Sequence, residues 1–252
     1  MLLPPLVGVN NFLYLSEDCC DANPTISLNE NLTEQARAIY KSITANTSDF
    51  APLSNYISIK HGFAFKGEFI TFKRNNVVLV TPGNFKIGGG FQESKCKYFT
   101  SDYPNDYVLH PNDLIVTMTD LSKEADTLGY GAFVPGNPNR TYLHNQRIGL
   151  VKFLTELLPK DYVYWFLRSY EYHMKIVGSA SGSTVKHTSP GRILEQRIPI
   201  PKDDDKRKIS LLESIDETIA ANDIESITLA NLRDDLLPRL MSGELDVSDL
   251  DL

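Results

Sequence analysis

Residues 203–242 constrain the fold of this 252-residue chain more strongly than any other segment. The segment lacks glycine, its first proline is Pro238, and strong helix formers alternate with charged residues along it. This pattern predicts one long helix over 203–243. At about 1.5 Å per residue, some 35 residues form a rod of roughly 50 Å, which is longer than the core of a medium-sized domain requires. We therefore expect a spacer helix. The alternative is a helix that folds back over its own domain.

Apolar residues within this helix recur at heptad spacing, as they do in helices that pair along a coiled-coil seam. The polar Asn222 falls inside the seam, where it would fix the register of the pair. A second stripe, formed by Ile209, Ala220, Ile224 and Ile227, lies partly off the seam and is expected to contact another partner. The predicted pairing residues are Leu212, Ile215, Ile219, Asn222, Leu229, Leu236 and Leu240.

The rest of the chain divides into a short helix and a mixed domain. Residues 28–46 carry apolar side chains at helical spacing, which predicts a short amphipathic helix. Residues 47–202 combine short β-rich apolar runs, bounded by Pro, Gly, Asn and Asp, with an aromatic helical pattern at 161–177. We therefore predict an α+β fold, in which one mixed α/β domain lies between the short helix and the coiled-coil-type helix. Residues 1–27 show no consistent period, and residues 244–252 are expected to form a tail.

Charge is distributed unevenly along the chain. The net charge is −7 overall, but it is −4 over residues 1–50, +6 over 51–202 and −9 over 203–252. Within the middle domain, residues 57–100 carry a local excess of +5, which is suited to a polyanion such as nucleic acid. The alternative is an ordinary solvated face. Basic residues in this stretch are Lys60, Lys66, Lys73, Arg74, Lys86, Lys95 and Lys97.

Common enzyme motifs are missing from the sequence. The glycine run at 88–90 has no dinucleotide-binding spacing around it, there is no phosphate-binding loop, and the surroundings of Ser181 do not match a nucleophile elbow. Glu93 lies in a partial resemblance to a nuclease centre that lacks an acidic partner. The five histidines have no metal-ligand spacing, and we predict no metal site. They are His61, His110, His144, His173 and His187.

Cysteine usage and hydropathy favour a reducing, aqueous compartment. The three cysteines, Cys19, Cys20 and Cys96, form neither a disulfide framework nor a zinc-ligand pattern. The apolar start of the sequence has no basic region and contains two prolines, and no later run is long enough for a membrane span. We therefore expect a cytoplasmic protein without membrane contact.

Seven segments of the sequence, taken in order, form a pattern of their own. They are GFAFKGEFI at 62–70, DLIVTMT at 113–119, LHNQRIGLVKF at 143–153, YVYWFLRS at 162–169, GSTVKHTSPGRI at 182–193, IPIP at 198–201 and DDLLPRLMSGEL at 234–245. Together these segments resemble the specificity subunit of type I restriction-modification systems, and the last of them is the most specific. The long helix departs from the family pattern at its start, where KDDDKRK replaces a proline-rich and glutamine-containing stretch.

Specificity subunits of this family normally contain two target recognition domains, whereas this sequence has the pattern of one. The helix at 28–46 resembles the distal end of the family's central helix, so the chain resembles a half-length subunit. Two copies that pair through their long helices would restore two recognition domains. The other interpretation is a fragment of a longer subunit.

The resemblance implies a non-catalytic subunit that binds double-stranded DNA and reads one half of a bipartite site. It implies methyltransferase subunits as partners, which supply S-adenosylmethionine, and restriction subunits, which supply ATP and Mg²⁺; no cofactor is expected on this chain. An alternative is a coiled-coil assembly or antirestriction decoy protein that binds the methyltransferase but not DNA. A third hypothesis is a nuclease that uses the Glu93 region.

Two sets of residues are candidates for DNA contact. The basic residues Lys60, Lys66, Lys73, Arg74, Lys86, Lys95 and Lys97, together with Lys186, would bind phosphates and position the duplex. Reading bases requires amide or guanidinium side chains in exposed loops. The alternative roles are local: Asn84 would form a turn, Gln92 would be solvated, and Gln146 with Arg147 would hold a strand end. The candidates for base readout are Asn84, Gln92, Gln146, Arg147, Ser183, Thr184, Lys186 and His187.

Overall fold

A computed structural model describes residues 24–45, 47–122 and 124–244. The predicted α+β class is confirmed. Residues 1–23 and 245–252, and with them most of the predicted N-terminal segment and tail, lie outside the described residues. The helices are α1 (Pro24–Thr44), α2 (Lys160–Leu167), α3 (Tyr170–Gly178), α4 (Pro190–Leu194) and α5 (Lys206–Met241). The strands are β1 (Phe50–Pro52), β2 (Ile57–His61), β3 (Ile70–Thr71), β4 (Val77–Val80), β5 (Lys97–Phe99), β6 (Val108–Leu109), β7 (Leu114–Thr117), β8 (Thr119–Asp120), β9 (Gly131–Phe133), β10 (Thr141–His144), β11 (Ile148–Phe153), β12 (Lys186–His187) and β13 (Arg197–Pro199).

Two sheets form the body of the mixed domain. The first has the order β2-β11-β7-β9 and is antiparallel throughout. The second has the order β3-β5-β4-β10-β6, with β4 and β10 parallel to each other. Their apolar side chains share one core, in which Val78 and Val80 of the second sheet pack with Ile115 and Leu150 of the first. The sheets therefore stack on each other, as apolar faces of sheets do.

The opposite face of the first sheet is covered by helices. Leu114 and Val116 of β7 share a core with the side chains of α2, including Trp165, and with α1 and α5. Tyr162 and Trp165 are almost fully buried there. The aromatic pattern at 161–177 that predicts one helix is in fact two helices. Ser169 breaks it, because its hydroxyl caps α3 by accepting from the Tyr172 backbone N–H.

Helix α1 packs antiparallel against α5 within the same chain. Its residues Ala36, Tyr40 and Ile43 are buried in the common core. Near the start of α1, Asn29 donates a hydrogen bond to Asp223 and accepts one from Asn222, each of 2.8 Å. The helix predicted at 28–46 is therefore present at Pro24–Thr44, and it provides a partner for the long helix.

The predicted seam of α5 needs correction in its first half. Leu212 is fully buried in the core of its own domain, and Ile215 packs against the same core, so neither is available to a second copy. Asn222 bonds to α1 rather than across a dimer seam. Ile219 is half-buried. The reason is that α1 and α2, which are distant in sequence, together cover this face of the helix.

Three of the four residues of the second stripe on α5 also contact the chain's own domain, whereas Ala220 is exposed. Ile209 belongs to the core, and Ile224 and Ile227 line a small groove against residues 137–139. Arg74 extends the contact by donating a 2.9 Å hydrogen bond to Asn231. The expected spacer is therefore folded against its own domain up to about Asn231, and only the last turns of α5 extend beyond these contacts. At this outer end Leu229, Leu232, Leu237, Leu240 and Met241 are exposed.

Candidate nucleic-acid interface

One end of the first sheet gathers the segments that carry several predicted contact residues. Strand β2 ends, β11 begins and β7 ends at this edge, because Gly149 pairs with His61 and Ile148 pairs with Thr117. Antiparallel pairing places the loops that follow or precede these strands side by side. The segments 62–66, 144–147 and 118–122 consequently lie together.

The central element of this edge is the tight turn at residues 144–148. The backbone N–H of Ile148 bonds to Asn145 O, and the N–H of Arg147 bonds to Asn145 Oδ1, each at 3.0 Å. His144, which is buried, donates from Nε2 to Ile148 O at 2.8 Å. Burial lowers the pKa of His144 to about 4, so this ring is neutral at physiological pH. The turn thus holds the exposed Gln146 and Arg147 on a fixed backbone.

The segment after β2 is attached directly to this turn. Phe63 N–H donates to His144 O at 2.8 Å, and Gln146 N–H donates to Phe63 O at 2.9 Å. Gly62 makes the approach possible, because a Cβ at this position would lie 2.2 Å from Asn145 O. Two backbone bonds and one glycine therefore set the distance between Phe63 and Gln146.

A third segment joins the edge through β8 and β12. His187 N–H donates to Ser181 O, and Thr188 N–H donates to Met118 O at 3.0 Å, next to the 3.0 Å bond from Met118 N–H to Arg147 O. A 3.1 Å hydrogen bond joins His187 Nδ1 to Thr119 Oγ1. Ser183 and Thr184, two of the predicted readout residues, are exposed in the loop that precedes β12.

The loop after β8 is fixed by Asp120. Its carboxylate accepts hydrogen bonds from the backbone N–H groups of Ser122 and Thr127 and from the Thr127 hydroxyl, each of 2.6 Å. Although burial acts to raise the pKa of Asp120, the bonds from Thr127 and Ser122 hold it below its ordinary value. This acidic residue is thereby engaged internally, next to Lys186 in the β12–β8 pair.

We call this surface the recognition edge. The segments on the two sides of the turn carry lysines, Lys60 and Lys66 on the β2 side and Lys186 in β12, and Phe63 lies between Lys60 and Lys66 in the sequence. Two exposed carboxyl residues mark its border, Asp102 near Lys66 and Asp106, whose backbone oxygen accepts from Lys60 at 2.7 Å. The recognition edge consists of Lys60, Phe63, Lys66, Gln146, Arg147, Lys186 and His187.

Two predicted readout residues are excluded from this surface. Asn84 is fully buried, where its amide bonds to Thr81 N–H, Gln92 O and Cys96 Sγ. The Gln92 amide nitrogen donates to the backbone oxygens of Gly83 and Phe85 at 3.0 and 3.1 Å. Both predictions were wrong, because these amides satisfy the backbone of one loop and cannot also present a complete donor and acceptor pair to a base.

The predicted phosphate ligands do not form one continuous surface. Lys60 and Lys66 lie at the recognition edge. Arg74 donates a hydrogen bond to α5, and the charge of Lys86 acts to lower the pKa of Asp223 of α5, so both cations face the helix. Lys97 lies over the ring of Phe72, with its Nζ atom 5.7 Å from the ring centroid. The remaining two, Lys73 and Lys95, are exposed.

Glu93, the residue of the nuclease hypothesis, is held in an ion pair. Its carboxylate accepts from Arg140 at 2.7 Å and from the Tyr142 hydroxyl at 2.6 Å. Burial raises the pKa of Tyr142 well above its ordinary range, and the hydrogen bond to Glu93 adds to this, so the hydroxyl stays protonated. Within the described residues, no group of three or more His, Cys, Asp or Glu is arranged to hold a metal ion. Of the helices in the described ranges, none is long and apolar enough to cross a membrane.

Sequence reasoning missed three residues that build the recognition edge. Phe63 and Gly62 lie in a segment used only to identify the family, and His144 was treated as an isolated histidine. The sequence feature that indicates this turn is the Asn-Gln-Arg run at 145–147, since an asparagine before two polar residues is typical of a tight turn. Contacts between that run and residues 62–63 have no local sequence signature.

Comparison with known proteins decides the family. The profile of the type I restriction modification DNA specificity domain matches residues 29–229, which is most of the chain. The chain belongs to this family of specificity domains. A curated relative, the type I restriction enzyme EcoBI specificity subunit of Escherichia coli, is 24% identical over 210 residues. That match covers 79% of this chain and 40% of the relative. Specificity subunits of type I systems are non-catalytic.

A solved structure of a type I S subunit has a similar fold. The S subunit of a type I restriction-modification system from M. genitalium has a TM-score of 0.50 and 18% identity, covering 78% of this chain and 46% of that one. The HsdS subunit of Thermoanaerobacter tengcongensis has a TM-score of 0.45 and 10% identity, covering 88% of this chain and 54% of that one. The specificity domain described above therefore spans about half the length of the solved subunits.

Proposed function

We propose that this specificity domain binds double-stranded DNA through the recognition edge and reads one half of a bipartite site. The observation that carries the proposal is the hydrogen-bonded turn at 144–148, which exposes Gln146 and Arg147 between the segment with Lys60 and Lys66 and the strand with Lys186. The fixed backbone matters, because side chains that read bases must be held in register with the base edges.

Each side chain of the edge has a distinct role in this proposal. Lys60, Lys66 and Lys186 bind phosphates and position the duplex. The forked guanidinium of Arg147 matches the two acceptors of guanine, and the amide of Gln146 matches the donor and acceptor of adenine. The exposed loop with Ser183 and Thr184 supplies further polar contacts at the border of the site.

The first experiment measures binding of the full chain to random duplex DNA over a range of salt concentrations. Phosphate contacts predict that the logarithm of the binding constant falls linearly with the logarithm of salt concentration, and that Lys66→Ala makes the slope shallower by about one unit. A flat response would refute the proposal.

The second experiment identifies the reading residues by selecting duplexes from a randomised library. Arg147→Ala is expected to weaken binding to the selected sequence by about 1–3 kcal/mol and to relax the preference at one base pair. Arg207→Ala is the matched control, because Arg207 is an exposed arginine at the start of α5. A uniform loss over all sequences for Arg147→Ala would make Arg147 a phosphate ligand instead.

We further propose that the helices dock methyltransferase subunits, to which restriction subunits are added in the full complex. The exposed face of α5 carries Glu213, Glu217 and Glu225, and negative charge there favours a protein surface over DNA. In this assembly S-adenosylmethionine, ATP and Mg²⁺ are bound by the partner subunits. Since the proposed ligand is DNA, we place the complex in the cytoplasm. Co-purification with the methyltransferase but without duplex affinity would favour the decoy hypothesis.

We also propose that two copies pair through the outer end of α5. Leu229, Leu236 and Leu240 recur there at heptad-related spacing, and Leu229 and Leu240 are exposed. A C2 pair would place two recognition edges at a fixed separation, which is the geometry a bipartite site requires. Sedimentation equilibrium of the chain alone tests this pairing, and a monomer at micromolar concentration would contradict it.

A further inference from the structure

An exposed aromatic ring lies in the middle of the recognition edge. Phe63 is 40% exposed, although a ring of this size is usually buried in a protein core. It is three residues from Lys60 and three from Lys66, and its backbone is bonded on both sides to the turn that carries Gln146. An apolar surface here contributes to binding a polyanion only where the ligand offers an apolar group of its own.

The ring is held in place by its aromatic neighbours. Its centroid lies 5.1 Å from that of Phe65, edge to face, and 5.2 Å from that of Tyr107. Lys60 in turn lies over Tyr107, with Nζ 4.8 Å from the ring centroid. These contacts keep Phe63 against the domain, so that it touches a ligand at the surface and does not extend as a wedge between base pairs.

A cavity of about 200 Å³ opens beside the ring. Its apolar wall is formed by Phe63, Phe65, Phe69 and Phe99, and its rim carries Lys66, Ser101 and Asp102. The cavity is therefore an apolar recess whose rim carries one cation and one carboxyl group. In the major groove of DNA, the apolar group available at base edges is the 5-methyl group of a pyrimidine.

We propose that Phe63 and this recess read the 5-methyl group of a pyrimidine, thymine or 5-methylcytosine, within the recognition sequence. The inference rests on the proposed function, since it requires DNA to lie on the recognition edge. It adds an apolar specificity contact to the polar contacts of Gln146 and Arg147, and it assigns this contact to a residue outside the predicted readout set.

The experiment uses the full chain and the duplex selected from the randomised library. Each thymine in the selected sequence is replaced in turn by deoxyuridine, which removes the methyl group alone. At one position the affinity is expected to fall about fourfold, the value for withdrawing one methyl group from an apolar contact. 5-Bromodeoxyuridine at that position restores affinity, because bromine fills nearly the same volume as the methyl group. A cytosine position is tested in the same way with 5-methylcytosine, which separates the two sources of the methyl group.

Protein variants connect the effect to the ring. Phe63→Ala is expected to bind the methylated and unmethylated duplexes equally, while Phe63→Leu keeps most of the difference. Phe72→Ala is the matched control, because Phe72 is a more exposed phenylalanine, at 80%, in a different loop, and it should leave the methyl effect unchanged. Guanidinium unfolding followed by Trp165 fluorescence confirms that each variant is folded.

The outcomes separate this inference from the function on which it rests. If the chain binds duplex DNA with a sequence preference but no position responds to the methyl group, the inference is wrong and the proposed function stands. A methyl effect that survives in Phe63→Ala also overturns it. If the wild-type chain has no affinity for duplex DNA, the proposed function itself fails.

Discussion

The buried carboxyl group of Asp216 makes the attachment of the long helix dependent on pH. Asp216 lies on α5 and is 9% exposed, and Trp165 Nε1 of α2 donates to its Oδ2 at 2.9 Å. Burial and then the charge of Asp161 raise the pKa of Asp216 to about 8, while the bond from Trp165 and the charge of Arg168 oppose the rise. Burial also raises the pKa of Asp161. At this helix interface the ionised form of Asp161 therefore disfavours ionisation of Asp216.

The sign of the effect follows from proton binding. In the unfolded chain Asp216 has its ordinary pKa of 3.8, so between about pH 4 and pH 8 the folded chain holds a proton that the unfolded chain has released. Stability from this group is therefore complete below pH 4 and is lost as the pH rises towards 8, by at most about 1.4 kcal/mol per unit. His144 and His173 act in the opposite direction, because burial lowers their pKa from 6.5. Their contribution to stability rises until about pH 7.5, where the histidines of the unfolded chain have lost nearly all their protons, so it offsets part of the loss at Asp216.

The perturbation is Asp216→Asn, which keeps an oxygen to accept the Trp165 N–H and removes the titrating group. Between pH 6.5 and 8 the free energy of unfolding of the wild-type chain is expected to fall by about 1 kcal/mol, the loss at Asp216 less the gain at the two histidines, whereas that of the variant does not fall. The variant should consequently be the more stable protein at pH 8. Glu217→Gln, which removes an exposed carboxyl group from the same helix, is the control and should leave the pH dependence intact.

Guanidinium unfolding, followed by tryptophan fluorescence, measures this directly. The sequence has a single tryptophan, Trp165, and it is the hydrogen-bond partner of Asp216, so the signal reports on the helix interface. A wild-type stability that is flat or rising from pH 6.5 to 8 would refute the reasoning. So would an equal pH dependence in Asp216→Asn.

Three further changes test other parts of the structure. Gly62→Ala should cost about 1–3 kcal/mol in stability and weaken duplex binding, because the new Cβ meets the backbone of the neighbouring turn; Gly67→Ala, which meets no atom within 4 Å, should do neither. Asn84→Ala should lower the free energy of unfolding by about 1–3 kcal/mol, since it leaves buried backbone groups without their hydrogen-bond partner. The duplex affinity per folded molecule should stay unchanged. Leu236→Asp combined with Leu240→Asp should convert the proposed dimer to a monomer in sedimentation equilibrium, while each copy still binds DNA. If the double variant remains a dimer, the interface does not lie at the outer end of α5.

Local pattern predicted the elements of the fold well. The apolar run at 77–80 is strand β4, and the segment without glycine at 203–242 forms helix α5 at Lys206–Met241. These succeed because helix and strand periodicity depends on neighbouring residues. The pattern at 161–177 failed at Ser169, where a single capping hydroxyl outweighs the continuous apolar spacing.

The site was predicted only in part. Gln146 and Arg147 are exposed on a fixed turn, as their role requires, whereas Asn84 and Gln92 have the same side-chain chemistry but bond within a loop. Composition and spacing do not distinguish the two cases, because exposure depends on which distant segments pack against each residue. Phe63 was missed for the same reason.

The sequence by itself determined the fold class, the long acidic helix and the basic character of the middle domain, since each of these follows from residue order and local periodicity. The family came from the resemblance of its segments to known specificity subunits. Only the tertiary structure decided which face of that helix is occupied by its own α1 and α2, and which cations lie beside the turn at 144–148. Those outcomes depend on contacts such as Phe63 with His144 and Trp165 with Asp216, between residues far apart in the chain. No local pattern encodes them.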